Sequence, residues 1–140
     1  MNIDKFKHQH LDILGAIAAL RTLVQTGIAE HASEISQRIV AMSGSIKLHL
    51  AVEDRVLYPA LEASGNASLA RMSHQYRDEM NGISGAYLAF AGKWNTPRLL
   101  IEAPEVFREE ANHVLKTLYV RMKKEDREFY PAIEASHTHA

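Results

Sequence analysis

The 140-residue chain has no cysteine, only four prolines and one tryptophan, and no surplus of either charge. The missing cysteine excludes disulfides, thiolate zinc sites and iron–sulfur ligation, and leaves imidazole and carboxylate as the strong metal ligands. With 16 Lys and Arg against 17 Asp and Glu, the net charge of −1 gives no electrostatic footprint for a nucleic acid. No window approaches the roughly 18 uninterrupted apolar residues of a membrane span, so no membrane partner is expected. The opening MNIDKFKHQH has neither the apolar core nor the small-residue cleavage site of a signal peptide, and a cytoplasmic location is the default expectation. No stretch bounded by turn residues alternates with period two, so strands are not needed.

What is present is helical periodicity. A hydrophobic content of 46% suits one domain that buries about two-thirds of its unfolded surface. Ile3, Phe6, His10, Ile13, Ile17, Leu20 and Val24 step by three and four until Gly27, a candidate C-terminal cap. Ile35, Ile39, Met42, Ile46, His49, Glu53 and Val56 form a second stripe, ending near Pro59 and Ser64-Gly65-Asn66. Leu69, Met72, Tyr76, Met80, Ile83, Tyr87, Phe90 and Trp94 form a third, stopped by Asn95-Thr96-Pro97. The fourth opens near Pro104 and carries Phe107, Ala111, Val114, Leu118, Arg121 and Glu125, with Pro131 near its end. These stripes predict helices near 3–26, 30–63, 67–94 and 104–134, packed as an antiparallel up-down-up-down four-helix bundle over residues 1–136, with 137–140 as a short polar tail.

Within this pattern lies a repeat. EDRVLYPALEAS at Glu53–Ser64 returns as EDREFYPAIEAS at Glu125–Ser136. His49 precedes Glu53 by four residues, whereas Arg121 holds the same place before Glu125. His10, His49, Glu53 and Glu125 all occupy stripe positions where an inward apolar side chain would otherwise sit, and ionisable groups are rarely buried without a partner. A lone inward histidine is more often a hydrogen-bonded core residue than a ligand. Three helices aiming imidazole and carboxylate inward, two of those groups at i and i+4 on one face, favour a metal site instead.

The residues His10-x-x-Ile13-Leu14, His49-x-x-x-Glu53-Asp54-x-x-Leu57-Tyr58-Pro59 and Glu125-Asp126-x-x-Phe129-Tyr130-Pro131 resemble the hemerythrin-like, or HHE cation-binding, family over nearly the whole chain. The resemblance implies a four-helix bundle around non-haem iron, a mono- or di-iron centre or another divalent metal, with His10, His49, Glu53, His74 and Glu125 as the matching ligand positions. It also implies response to O2 or NO, or a part in iron storage or handling.

Two positions depart from that pattern. The family's fourth-helix histidine falls on Arg121, and a guanidinium has no lone pair to give a metal. Pointed inward, Arg121 pairs with Glu53 or Glu125 and places a fixed positive charge where one metal would sit; pointed outward, it leaves water there. His74, the only histidine of the third helix, lies about 200° round from Tyr76 on the apolar stripe, so either a local bulge turns His74 inward or Tyr76 faces the site. His8, His31, His113, His137 and His139 fall off the inner stripes or in loop and tail. Tyr58, Tyr130 and Trp94 are read as packing aromatics, and Asp54 and Asp126 as groups outside the ligand set.

Two function classes follow. One is a metal-binding protein with a partly edited site; the alternative is a metal-free interaction or structural bundle in which an Arg–Glu network has replaced metal. A redox enzyme is less favoured, because the sequence offers no dedicated proton donor. Oligomeric state is open, a homodimer being one option.

Overall fold

A computed structural model describes residues 2–137 of the chain. It is 89% helix, with no strand among the described residues. Four long helices carry the fold: α1 (Asp4–Thr26), α2 (Ala32–Val52), α4 (Ala67–Lys93) and α6 (Pro104–Lys124). Short helices α3 (Tyr58–Glu62) and α7 (Tyr130–His137) extend α2 and α6, and α5 (Pro97–Glu102) lies between α4 and α6. The sequence reading leaves α5 out, since Asn95-Thr96-Pro97 reads as a stop. Pro97 instead stands in the first turn of α5, where its missing N–H costs nothing. The first residue of the expected tail, His137, closes α7, while His139 lies outside the described residues.

Gly27 ends α1 as the periodicity predicts, at φ 143°, with its N–H donated to the Leu23 carbonyl. A side chain at that positive φ would be strained, so this turn favours glycine.

The prolines behave less simply. Helix continues through both Tyr-Pro pairs, but each pair is preceded by one π turn, Glu53–Leu57 and Glu125–Phe129. In these turns the Tyr58 and Tyr130 amides bond to the carbonyls of Glu53 and Glu125, five residues back. The cause is local. Pro59 and Pro131 lack the N–H that would pair with the carbonyls of Arg55 and Arg127, and their rings press on those same carbonyls, so the preceding turn widens.

The interior is layered. One apolar cluster runs from Ile13, Ile46, Met80 and Leu118 to Trp94 and Phe107. The other gathers Ile3, Phe6, Leu57, Leu61, Tyr76, Phe129 and Ile133. The buried residues His10 of α1, His49 of α2, Arg121 of α6, and Glu53 and Glu125, which open the two π turns, fall between the two clusters. The apolar layers exclude water from above and below, and this raises the cost of any unpaired charge in the polar layer.

Candidate metal centre

Within the polar layer, His10, His49 and Glu125 each offer a ligand atom within 4.8 Å of the others. His10 Nε2 lies 2.9 Å from Glu125 Oε1, and His49 Nε2 lies 3.2 Å from Glu53 Oε1. The two imidazole rings are 4.8 Å apart between centroids. Three helices thus bring together four of the five residues expected as ligands.

The far side of each ring is anchored. His10 Nδ1 donates to Asp126 Oδ1 at 3.0 Å, and His49 Nδ1 donates to Gln9 Oε1 at 2.6 Å. A carboxylate and an amide oxygen only accept, so in the neutral rings the hydrogen sits on Nδ1 and the Nε2 lone pair faces inward. That outer bond is the usual support of a metal-ligating histidine.

Facing those lone pairs are oxygens with nothing to accept from. Both oxygens of Glu53 and Oε1 of Glu125 are buried without a hydrogen-bond partner, as is His49 Nε2 itself. Buried polar atoms are ordinarily paired, and several such atoms gathered in one layer mark a place for a cation. The donor set, nitrogen and oxygen without sulfur, suits iron, manganese or zinc. On this test the residues fit the metal that the sequence resemblance implies.

Arg121 shapes the rest of the layer. Its guanidinium is buried, with Nε donating to Glu125 Oε2 and Nη1 to Glu79 Oε2, each at 3.1 Å. Nη2 donates to the Tyr76 carbonyl, and the guanidinium carbon stands 4.5 Å over the Tyr76 ring. Tyr76 in turn stacks on Phe129 at 4.5 Å and donates to Glu128 at 2.8 Å. Of the two orientations open from sequence, Arg121 takes the inward one.

Electrostatics divides the two glutamates. Burial, then the charges of Glu125 and Asp54, push the Glu53 carboxyl well above its ordinary range, partly offset by Arg121. Burial alone would raise Glu125 too, but the approach of His10 and the charges of His10, Arg121 and His49 hold it below the ordinary value. Burial and the neighbouring His10 lower His49 to about 4, so it is neutral at physiological pH and its lone pair is available.

His74 is not brought to this layer. It is 68% exposed on α4 and pairs with Asp78 at 3.4 Å on the same face. No bulge interrupts α4, so the ordinary 100° step holds; Tyr76 is the residue that turns inward.

Sequence reasoning missed three contributors. Gln9 precedes His10 and carries no motif of its own. Glu79, half exposed, becomes visible only through Arg121. Tyr130, taken as packing, places its hydroxyl 2.9 Å from His10 Nε2. The signal for Tyr130 was the Pro that follows it, because five residues on a regular helix turn through about 500° and leave Tyr130 about 140° from Glu125. The π turn removes much of that difference.

The hemerythrin HHE cation binding domain profile matches residues 1–133 of the chain. No curated protein and no solved structure matches it. No helix among the described residues is long and apolar enough to cross a membrane.

Proposed function

Because the chain belongs to the hemerythrin HHE cation-binding domain family, we propose that it binds a single non-haem iron ion through His10, His49 and Glu125, with Glu53 as a further oxygen donor. The observation that carries this reading is the inward pair of Nε2 lone pairs, fixed from behind by Asp126 and Gln9, set against carboxylate oxygens with no donor. Arg121 limits the site to one ion. It takes one oxygen of Glu125 and holds a permanent positive charge beside it, which repels a second cation and competes for the same carboxylates.

Iron so held would offer an open position to a small diatomic ligand such as O2 or NO. The apolar clusters on either side keep water from that position, and Arg121 sets its charge. The role in the cell would be sensing or iron handling at this site rather than turnover of an organic substrate.

The same reading takes residues 1–136 as one antiparallel up-down-up-down bundle. Its support is that partners run in opposite sequence order: Val24 meets Arg108 while His10 meets Glu125, and Ile39 meets Tyr87 while Asp54 meets Arg77.

A second reading, the metal-free bundle, draws on Arg121 alone, whose three nitrogens are all satisfied by protein acceptors. In it a protonated Glu53 donates to His49 Nε2, 3.2 Å away, and Glu125 Oε1 is the acceptor left without a donor. Metal analysis of protein purified without a histidine tag separates the two. One iron per chain, lost in His10→Ala and His49→Ala but kept in His74→Ala, supports the iron site; no bound metal after incubation with Fe(II) or Zn(II) supports the bundle alone.

A further inference from the structure

We propose that Tyr130 is an additional ligand, its phenolate oxygen completing a site that prefers Fe(III). This rests on the reading of His10, His49 and Glu125 as metal ligands.

The backbone supplies the first argument. The Tyr130 amide bonds to the Glu125 carbonyl across the π turn, so the two side chains leave the helix one widened turn apart and both reach the polar layer. Distance supplies the second. His10 Nε2 is 2.9 Å from Tyr130 Oη and 2.9 Å from Glu125 Oε1. First-row metals bind nitrogen and oxygen at about 2.0–2.2 Å, and two such donors at right angles lie about 3 Å from each other. The imidazole nitrogen therefore already stands at neighbouring-ligand spacing from both the phenol oxygen and the carboxylate oxygen.

Rigidity and bonding complete the case. Tyr130 is fully buried, its ring held 4.8 Å from His10 and 6.0 Å from Phe129. The single hydrogen bond of its hydroxyl among the described residues goes to His10 Nε2, the nitrogen the metal would claim. Metal binding thus removes the one acceptor the hydroxyl has and places a cation where that lone pair was. On coordination the Tyr130 O–H bond breaks, an O–Fe(III) bond forms and the proton goes to bulk water; no electron moves when iron is supplied as Fe(III). A hard anionic oxygen favours the trivalent ion over Fe(II) or zinc. Tyr58 holds the matching place in the first repeat, but its hydroxyl has no bond to a ligand nitrogen.

The test is ferric loading of the tag-free protein from Fe(III) nitrilotriacetate, followed by visible absorption and resonance Raman spectra. Iron at one per chain, with a phenolate-to-iron charge-transfer band that enhances tyrosine ring modes, is expected. Tyr130→Phe should keep iron and lose the band, while Tyr58→Phe and Tyr76→Phe keep both. One iron per chain without the band, or a band that survives Tyr130→Phe, overturns Tyr130 as ligand and leaves the His–Glu site standing. Failure of the folded wild type to take up iron removes both readings. If Tyr130→Phe does not fold, the wild-type band and its survival in the other two variants decide: loss in Tyr58→Phe or Tyr76→Phe overturns the assignment.

Discussion

Arg121 and Glu125 share one carboxylate edge: Arg121 Nε donates to Glu125 Oε2 at 3.1 Å, while Glu125 Oε1 faces His10 Nε2 at 2.9 Å with no hydrogen bond of its own. The two oxygens of a single side chain serve a fixed cation on one side and a candidate cation site on the other. The order Arg121, Glu125 repeats the order His49, Glu53, so the same helical spacing that sets a ligand beside a carboxylate in α2 sets a guanidinium there in α6.

Exchange of that one residue is therefore informative. Arg121→Ala should destabilise the metal-free protein by roughly 3–5 kcal/mol, because it strands Glu125 in the interior. Arg121→His restores a lone pair and removes the competing charge, and its metal content should rise from one ion per chain towards two. Metal analysis with an absorption spectrum under air checks this. A second ion in the unmodified protein would show that Arg121 does not set the limit.

His49 and His74 make a contrasting pair. His49 is fully enclosed beside Glu53, whereas His74 stands in solvent. His49→Ala should abolish tight metal retention and leave Glu53 without its neighbour. His74→Ala should leave metal content unchanged and alter stability by no more than about 0.5 kcal/mol. Parallel metal titrations and denaturant unfolding of the two variants measure both effects; equal losses in the two would contradict the assignment.

The residues behind the ligands carry their own prediction. Asp126 and Gln9 touch the outer nitrogens of His10 and His49 and hold the rings in the orientation that turns Nε2 inward. Asp126→Asn or Gln9→Ala should weaken metal binding about 10- to 100-fold, with little change in helix content. Competition against a chelator gives the affinity, and circular dichroism gives the fold. Unchanged affinity would mean that packing alone orients the rings.

How much of this could be read from sequence depends on the local backbone. Stripes at three and four placed His10, His49, Glu53, Arg121 and Glu125 in the interior because regular helix carries each of them. The doubled Glu-Asp motif likewise marked matching positions on two helices. The same regular step failed wherever the backbone was not regular. Tyr130 reaches the centre only through the π turn that Pro131 induces, and an ideal step directs it elsewhere. His74 illustrates the opposite case, since on an uninterrupted helix the regular step holds and leaves His74 in solvent. Gln9, Asp126 and Glu79 gain meaning only from partners distant in sequence, which no single-helix pattern contains.

The pH dependence follows from the opposed displacements of His49 and Glu53. His49, lowered to about 4 by burial and the neighbouring His10, is neutral in the native state where an unfolded histidine still binds a proton. Between the ordinary value near 6.5 and about 4, the unfolded chain is therefore the one that gains protons, and stability falls as pH falls, by up to about 3 kcal/mol from this residue. Glu53 acts with the opposite sign. Raised by burial and by Glu125, it binds a proton in the native state where the unfolded carboxyl has lost one, and so offsets part of that loss above the ordinary carboxyl range. Glu125, held low, adds to the loss once pH drops below its ordinary value of 4.5. The metal-free protein should then lose stability most steeply between about pH 4.5 and 4, where His49 and Glu125 act together. Metal binding meets a simpler demand, since it needs Glu53 ionised. Uptake of Fe(II) without oxygen should release a proton from Glu53, and affinity should decline as pH is lowered. Calorimetry in buffers of different ionisation enthalpy measures that release. Glu53→Gln should reduce it, and proton release that is the same in Glu53→Gln as in the wild type would place the proton on another group.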